Sequence, residues 1–285
     1  MIAFRKMNGL GNDFVVVDAR HHAVDISADT IRALGDRENG VGFDQFILIE
    51  PAAEPADATM RIFNPDGGEV GACGNAARCV AALLLDERAM PEVLIASAGG
   101  PMRGWREADG RIAIDMGEPR FAGPAIPLAS EAGDSWCVRF PEPELASYGA
   151  AACVNVGNPH AVFFVPDVGV VPLTDIGPKF ENHRFFPERA NISFVTVHGP
   201  DRVEARVWER GAGATLACGT AACAIVSVGH RAGILGERVE VVLPGGPLAI
   251  ALTAGRIVMV GPYMLDWTGA ITRDGFVRDP LPTSV

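Results

Sequence analysis

Two cysteines, Cys73 and Cys218, stand in near-identical settings, each after a glycine-rich stretch and each followed by Gly and a run of small apolar residues: ACGNAARCVAALLL at 72–85 and ACGTAACAIVSV at 217–228. Runs of that composition predict helices that are apolar on nearly every face, and a helix of that kind is buried. Each cysteine then sits at the amino end of its helix, where backbone N–H groups have no intrahelical partner. Such an end favours a nearby anion: it lowers a thiol's pKa from its usual ~8.5 and offers a seat to a carboxylate. Gly74 and Gly219 let that carboxylate come close to the backbone. A thiol beside a carboxylate seat can move the proton on the carbon that bears the carboxylate. Two such thiols, facing each other across one substrate, could remove a proton from one face and return one to the other.

The similarity of the two settings extends well beyond the cysteines. RIFNPDGGEVGACGNAA (61–77) aligns without gaps to RVWERGAGATLACGTAA (206–222) at an offset of 145 residues. Upstream, Gly11-Asn12 parallels Gly157-Asn158, and Gln45 before an apolar run parallels Asn191. Downstream, Gly99-Gly100-Pro101 parallels Gly245-Gly246-Pro247. One unit repeated twice, unlike a solenoid of three or more copies, predicts two similar domains related by a pseudo-twofold axis, with the active site in the cleft between them. Runs such as FVVVDA, QFILIE and AVFFV, bounded by turn residues, read as strands. The expected fold class is α/β of the α+β type: two pseudo-symmetric domains, each of mixed strands wrapped around a central buried helix. Gly233 is the expected stop of the second helix, and the Pro- and Gly-rich stretch from Gly117 to Gly133 is the expected linker.

Other readings of these residues are weaker. Cys79, Cys137, Cys153 and Cys223 are expected to be small buried hydrophobes. The spacings Cys73/Cys79 and Cys218/Cys223 put the members of each pair on different helix faces, and neither is a CxxC site, so no metal is expected. The glycine loops lack the GK[ST] ending of a phosphate-binding loop. Pyridoxal phosphate chemistry needs a Schiff-base lysine, and the only lysines, Lys6 and Lys179, lie in no such context; no cofactor is expected. At 285 residues, 48% hydrophobic and 21% charged, the chain suits two globular domains, and a net charge of −11 argues against nucleic acid or an anionic membrane as partner. The amino terminus has no apolar signal region and no stretch approaches ~18 uninterrupted apolar residues. A cytoplasmic location is therefore expected, with six largely reduced cysteines.

The blocks KMNGLGNDF, GVGFDQ, NPDGGEVGACGNAARCVA, GNPHAV and ERGAGATLACGTAACA, in that order from Lys6 to Ala224, resemble the motif set of the diaminopimelate epimerase family. The resemblance implies interconversion of LL- and meso-diaminopimelate, on the route to lysine and the bacterial cell wall, without cofactor or metal. It implies Cys73 and Cys218 as the acid/base pair, with Gly74, Asn75, Gly219 and Thr220 donating to the reacting carboxylate. It further implies Asn12, Gln45, Asn64, Asn158, Asn191, Glu209 and Arg210 as the remaining substrate-binding residues, and His160 and Glu209 as tuners of thiol protonation. The last strand is expected to return to the first domain, giving residues 1–119 plus 265–285 as one domain and 120–264 as the other. The chain departs from the family pattern at Ala76 and Ala221, usually Gly, at Asn8, commonly His, and at Pro65, commonly Ala. A small amino acid is the expected partner, and a homodimer is left open. The alternatives are a cofactor-independent racemase of another amino acid, a thiol redox-sensing pair, and a non-catalytic binding protein on the same scaffold.

Overall fold

The structure is a computed structural model describing residues 1–71, 73–88, 90–273 and 275–280. The chain divides into two compact units, Met1–Ile114 with the chain from Gly261 onward, and Asp115–Val260. The boundaries therefore fall at 114/115 and 260/261.

The first unit opens with β1 (Ile2–Gly9) and β2 (Asn12–Asp18), joined by Leu10 and Gly11 at φ 60° and 80°. Positive φ at both central residues is what a type I′ hairpin turn needs. There follow α1 (Ala28–Gly35), β3 (Gln45–Glu50), β4 (Ala58–Phe63), β5 (Glu69–Val70), α2 (Gly74–Arg88), β6 (Glu92–Ala96), β7 (Met102–Arg106) and β8 (Ile112–Gly117), which carries the chain into the second unit. Pairing is antiparallel for β1/β2, parallel for β2/β3, antiparallel for β3/β4 and β4/β5, parallel for β4/β6 and antiparallel for β6/β7.

In the second unit α3 (Pro143–Ala146) precedes β9 (Ala152–Asn155), β10 (Pro159–Phe164), α4 (Leu173–Glu181), β11 (Asn191–Gly199), β12 (Arg202–Glu209), β13 (Gly213–Ala214), α5 (Gly219–Arg231), β14 (Arg238–Leu243), β15 (Gly246–Thr253) and β16 (Arg256–Gly261). From β9 to β15 its pairing senses repeat those of the first unit one for one. The sequence repeat is thus a repeat of topology. The chain then returns to the first unit, where β17 (Met264–Thr272) pairs antiparallel with β1 and with β18 (Gly275–Arg278).

Each unit wraps its strands around one helix. In α2, Ala76, Ala77, Cys79, Val80, Ala81, Ala82 and Leu84 are all fully buried, and in α5 so are Ala221 to Val226 and Val228, apart from a trace at Ser227. Alanine and leucine are strong helix formers, and the small side chains let strands pass close to the helix axis. A Cβ at Gly104 on β7 would meet Ala81 at 2.8 Å, so glycine is required for that approach. Helix α5 ends as the sequence predicts: Gly233 has φ 71°, its N–H reaches His230 O, and Ile234 N–H reaches Gly229 O. Those two bonds make a Schellman motif.

The stretch 117–133 does not behave as a free linker. It contains two short 3-10 helices, and Ile126 and Ala132 are buried in a core with Phe140, Phe163, Phe180, Phe185, Phe186 and Phe194. Its Pro and Gly residues break regular structure without detaching the chain from its unit. Cys79, Cys153 and Cys223 are buried as expected, but Cys137 is exposed. It adjoins Val138, whose side chain takes the inward position at an isolated bridge to Ala151, leaving the thiol on the solvent side.

Candidate active site

Topology gathers the polar residues of each unit at one end of its strands. Two parallel strands start at the same end, and the antiparallel strand beside them finishes there. In the first unit β2 starts at Asn12, β3 starts at Gln45 opposite Phe14, and Asn64 directly follows β4. In the second unit β10 starts beside Asn158, β11 starts at Asn191 opposite His160, and β12 ends at Glu209. Helices α2 and α5 begin at the same ends, each headed by its cysteine.

In the first unit Cys73 is half-buried, its Sγ accepts from Ala76 N–H at 3.5 Å, and its carbonyl accepts the first helical bond from Ala77. The Asn75 side chain is fixed at both ends: its Nδ2 donates to Asn12 Oδ1 (3.2 Å), and its Oδ1 accepts from Arg78 Nη1 (2.9 Å). Arg78 is fully buried and also donates to Pro262 O. A Cβ at Gly9 would meet its guanidinium at 2.8 Å, so the KMNG block makes room for this arginine. Asn12 in turn donates to Asp44 (2.6 Å), which with Asp13, Arg37 and Lys6 forms a charged cluster behind the amide. Burial alone would raise the Asp13 pKa, but hydrogen bonds from Arg37 and Lys6 outweigh it and hold the carboxyl below its usual range. Gln45 carries a buried Oε1 with no hydrogen-bond partner among the described residues, an acceptor suited to a ligand amine.

The second unit is wired differently. His160 is fully buried and its Nε2 lies 2.7 Å from Asn158 Oδ1, while Asn158 Nδ2 lies 3.3 Å from Thr220 Oγ1. Because the amide gives its N–H to the hydroxyl, its oxygen must accept, so the imidazole carries its proton on Nε2. With one lone pair of Oγ1 occupied, the hydroxyl proton is free for Cys218 Sγ at 3.4 Å. The result is a directional chain, His160 to Asn158 to Thr220 to Cys218, that ends as a donor to sulfur. Burial, with the Arg210 guanidinium nearby, pushes His160 down to about 3, so the ring is neutral near pH 7.

Cys218 is buried, and burial pushes its thiol well above the usual range; the charge of Glu209 and a hydrogen bond to its carboxylate push further in the same direction. Thr220 and the Ala221 N–H pull the other way by donating to sulfur. Both protonation states therefore have a partner: the thiol gives its proton to Glu209, and the thiolate accepts from Thr220 and Ala221. Glu209 also accepts from Thr215 Oγ1. Asn191 is buried, accepting Arg210 N–H (3.0 Å) and donating to Pro159 O (3.0 Å), and Arg210 Nη1 donates to Glu188 O.

Asn64 is half-buried in the turn after β4, its N–H bonded to Gly68 O. Ala76 and Ala221 are fully buried, and each gives its backbone N–H to the sulfur of the cysteine three residues before it. Asn8 donates to Asp266 (2.7 Å), and Pro65 packs against Gly35, where a Cβ would meet it at 3.0 Å. The lysines are both engaged, Lys6 with Asp13 and Gly42 O, and Lys179 with Glu144. The Asp13–Asp44–Arg37 cluster, Arg78 and Glu181 were not signalled by the sequence repeat, because none has an identical partner in the other half.

The chain matches the family described as diaminopimelate epimerase over residues 4–122 and 152–265. Similar relatives that carry the name diaminopimelate epimerase include one from Rhizorhabdus wittichii, 51% identical over 280 residues and 98% of either chain. Another, from Rhodospirillum centenum, is 46% identical and covers 94% of this chain and 92% of its own. Among solved structures, a hydroxyproline epimerase from Agrobacterium vitis, with bound trans-4-hydroxy-L-proline, superposes with a TM-score of 0.69 at 16% identity, covering 99% of this chain and 93% of its own. A phenazine biosynthesis protein from Bacillus anthracis gives 0.64 at 18%, covering 94% and 97%. At such identities these two structures share the fold.

Proposed function

This chain belongs to the diaminopimelate epimerase family, and from that premise we propose that it interconverts LL- and meso-diaminopimelate by a two-thiol proton transfer, supplying lysine and peptidoglycan precursors. The observation that carries the mechanism is the duplicated half-site: a cysteine at the head of a buried helix, beside strand-end amides, once in each unit.

In this mechanism the first-turn N–H groups of α2 and α5, from Gly74 and Asn75 and from Gly219 and Thr220, hold the carboxylate next to the reacting carbon. Their positive field stabilises charge that develops on that carboxylate as the α-proton leaves. One cysteine, as thiolate, takes the α-proton; the other, as thiol, delivers a proton to the opposite face, and the stereocentre inverts. In the reverse direction the roles exchange. Glu209 and Thr220 let Cys218 serve in either role, and His160 fixes the Asn158 amide that aims Thr220. Asn12, Gln45, Asn64, Asn158, Asn191, Glu209 and Arg210 make up the rest of the substrate site, where the arginine and amides hold the distal amino-acid group. An arginine with several amides suits that zwitterionic end and determines which centre reacts.

The substrate is a free small molecule, and the net charge of −11 is unsuited to nucleic acid. Among the described residues no helix is long and apolar enough to cross a membrane. We place the enzyme in the cytoplasm; the chemistry neither requires nor opposes a homodimer. The test is an epimerisation assay of purified protein on LL-diaminopimelate beside a panel of simple L-amino acids, with isomers separated chromatographically. Conversion to the meso isomer alone supports the reading, and turnover of a simple amino acid in preference to diaminopimelate would overturn it.

A further inference from the structure

Glu181 is the last residue of α4 and is 5% exposed. Its Oε2 accepts from Trp208 Nε1 at 2.7 Å, and its Oε1 accepts from Gly211 N–H at 2.9 Å and Arg189 Nη1 at 3.2 Å. Trp208 and Gly211 bracket Glu209 and Arg210. Gly211 has φ 77°, and Ala212 N–H closes the turn onto Glu209 O. The indole is seated on α4 as well, since a Cβ at Gly177 would meet its ring at 2.5 Å.

A buried carboxylate is an expensive way to hold a helix on a strand, because desolvating the charge must be offset by hydrogen bonds. The repeat shows what the fold needs without it. Glu181 ends α4 as Gly35 ends α1, and the offset between them, 146, is that between Gln45 and Asn191. In the first unit the turn that corresponds to Glu209-Arg210 is Asn64-Pro65, and there Gly35 lies against Pro65 and Phe43. The half with the uncharged pair Asn64-Pro65 packs glycine on proline. The half whose turn carries an acid and a base anchors it to a carboxylate.

We propose that Glu181 is a positioning residue for the reaction: it fixes the 208–211 turn so that the Glu209 carboxylate is held on Cys218 and the Arg210 guanidinium is presented to substrate. The chemistry requires a carboxylate and not an amide. All three partners are donors only, so a glutamine that kept its oxygen toward Gly211 would turn its NH2 against the indole N–H. Removing that indole donor as well should relieve the conflict.

This role rests on the proposed assignment of Glu209 and Arg210, and its test reads Cys218 separately from turnover. Wild type, Glu181→Gln, Glu181→Gln/Trp208→Phe and Glu209→Gln are compared in the full chain. The readouts are the pH dependence of Cys218 modification by methyl methanethiosulfonate, followed by mass spectrometry of its peptide, KM and kcat for LL-diaminopimelate, and the thermal midpoint. Glu181→Gln is expected to move the Cys218 midpoint downward, in the direction set by Glu209→Gln, and to raise KM about tenfold, the effect of misplacing one hydrogen bond to a charged group. The double variant should recover most of both. A lowered thermal midpoint with unchanged Cys218 profile and KM at temperatures where the variant is folded would overturn the proposal, leaving Glu181 a fold-holding residue only. If Glu181→Gln does not fold, Trp208→Phe alone, which removes one of the three donors, should shift both readouts in the same sense, and no shift would overturn the proposal. A wild-type protein inactive on diaminopimelate that still shows the Cys218 shift would sink the functional reading while supporting the placement of Glu209 by Glu181.

Discussion

Replacing Thr220 with valine removes one hydroxyl and keeps the shape, so it isolates the last bond of the chain from His160. That hydroxyl lies 3.4 Å from Cys218 Sγ and is one of two donors that pull the thiol's pKa down against burial and Glu209. A hydrogen bond to a charged group contributes about 1.5–3 kcal/mol, and one pKa unit corresponds to about 1.4 kcal/mol. Because sulfur is a weak acceptor and the contact is long, the lower end applies, and without this donor the Cys218 pKa should rise further above the usual thiol range. Below that pKa the thiolate fraction falls about tenfold. The equilibrium constant of the reaction fixes the ratio of kcat/KM in the two directions, so the loss appears equally from LL and from meso substrate. The assay is kcat/KM from pH 6 to 10 in both directions for wild type, Thr220→Val and Thr220→Ser, with the Cys218 modification profile measured alongside. Thr220→Ser should follow wild type. A valine variant with an unchanged rate of Cys218 modification at each pH and unchanged kcat/KM would refute the hydroxyl's role and the relay behind it.

Cys73→Ala and Cys218→Ala should each lose nearly all epimerisation, and the double variant should be little worse than either, because each thiol is needed in both directions; initial rates by chiral chromatography decide this. His160 bears on acid stability. It is neutral in the folded chain down to about pH 3, whereas an unfolded histidine titrates near 6.5. Stability is therefore full above pH 6.5 and falls as the pH drops toward 3, by about 1.4 kcal/mol per unit, since only the unfolded chain binds that proton. His160→Gln cannot titrate and keeps an N–H for Asn158, so between pH 7 and 4.5 it should lose about 2–3 kcal/mol less than wild type in urea unfolding; equal losses would contradict the buried neutral ring. Gly177→Ala puts a methyl where the Trp208 ring lies 2.5 Å away, and the overpacking should destabilise by about 1–3 kcal/mol in the same assay.

Much of this was legible in the sequence because the duplication doubles every signal. One ACG before an apolar run is weak, but two with matching upstream arginines and strand ends point to two buried helices with a cysteine at the head of each. Gly233 announced the end of α5 because a Schellman turn needs positive φ. The stretch 117–133 was misread as a linker, since Pro and Gly report broken backbone hydrogen bonding and say nothing of Ile126 packing into an aromatic core. Cys137 was misread for a related reason: composition cannot show which face of an isolated bridge looks outward. The supports of the site escape self-comparison because they are asymmetric; His160, Asn158 and Thr220 are signalled as site residues by the family motifs alone, and Glu181 by neither. Phe14 occupies the position that His160 holds in the second half, Gly35 that of Glu181, and Phe63 that of Trp208. Self-comparison finds what the halves share, whereas the Thr220 relay and the Glu181 anchor lie in what they do not.

In the two-thiol mechanism, different groups handle the proton on the two faces of the α-carbon. Reaction in D₂O stopped early, with substrate and product isomers separated and weighed by mass spectrometry, tests it most directly. If Cys73 and Cys218 act as separate acid and base, the product carries deuterium at the α-carbon from the first turnover, because the delivering thiol has exchanged with solvent. Unreacted substrate remains protiated. Protiated product, or substrate and product labelled alike from the start, would contradict the two-thiol account and point to a single base.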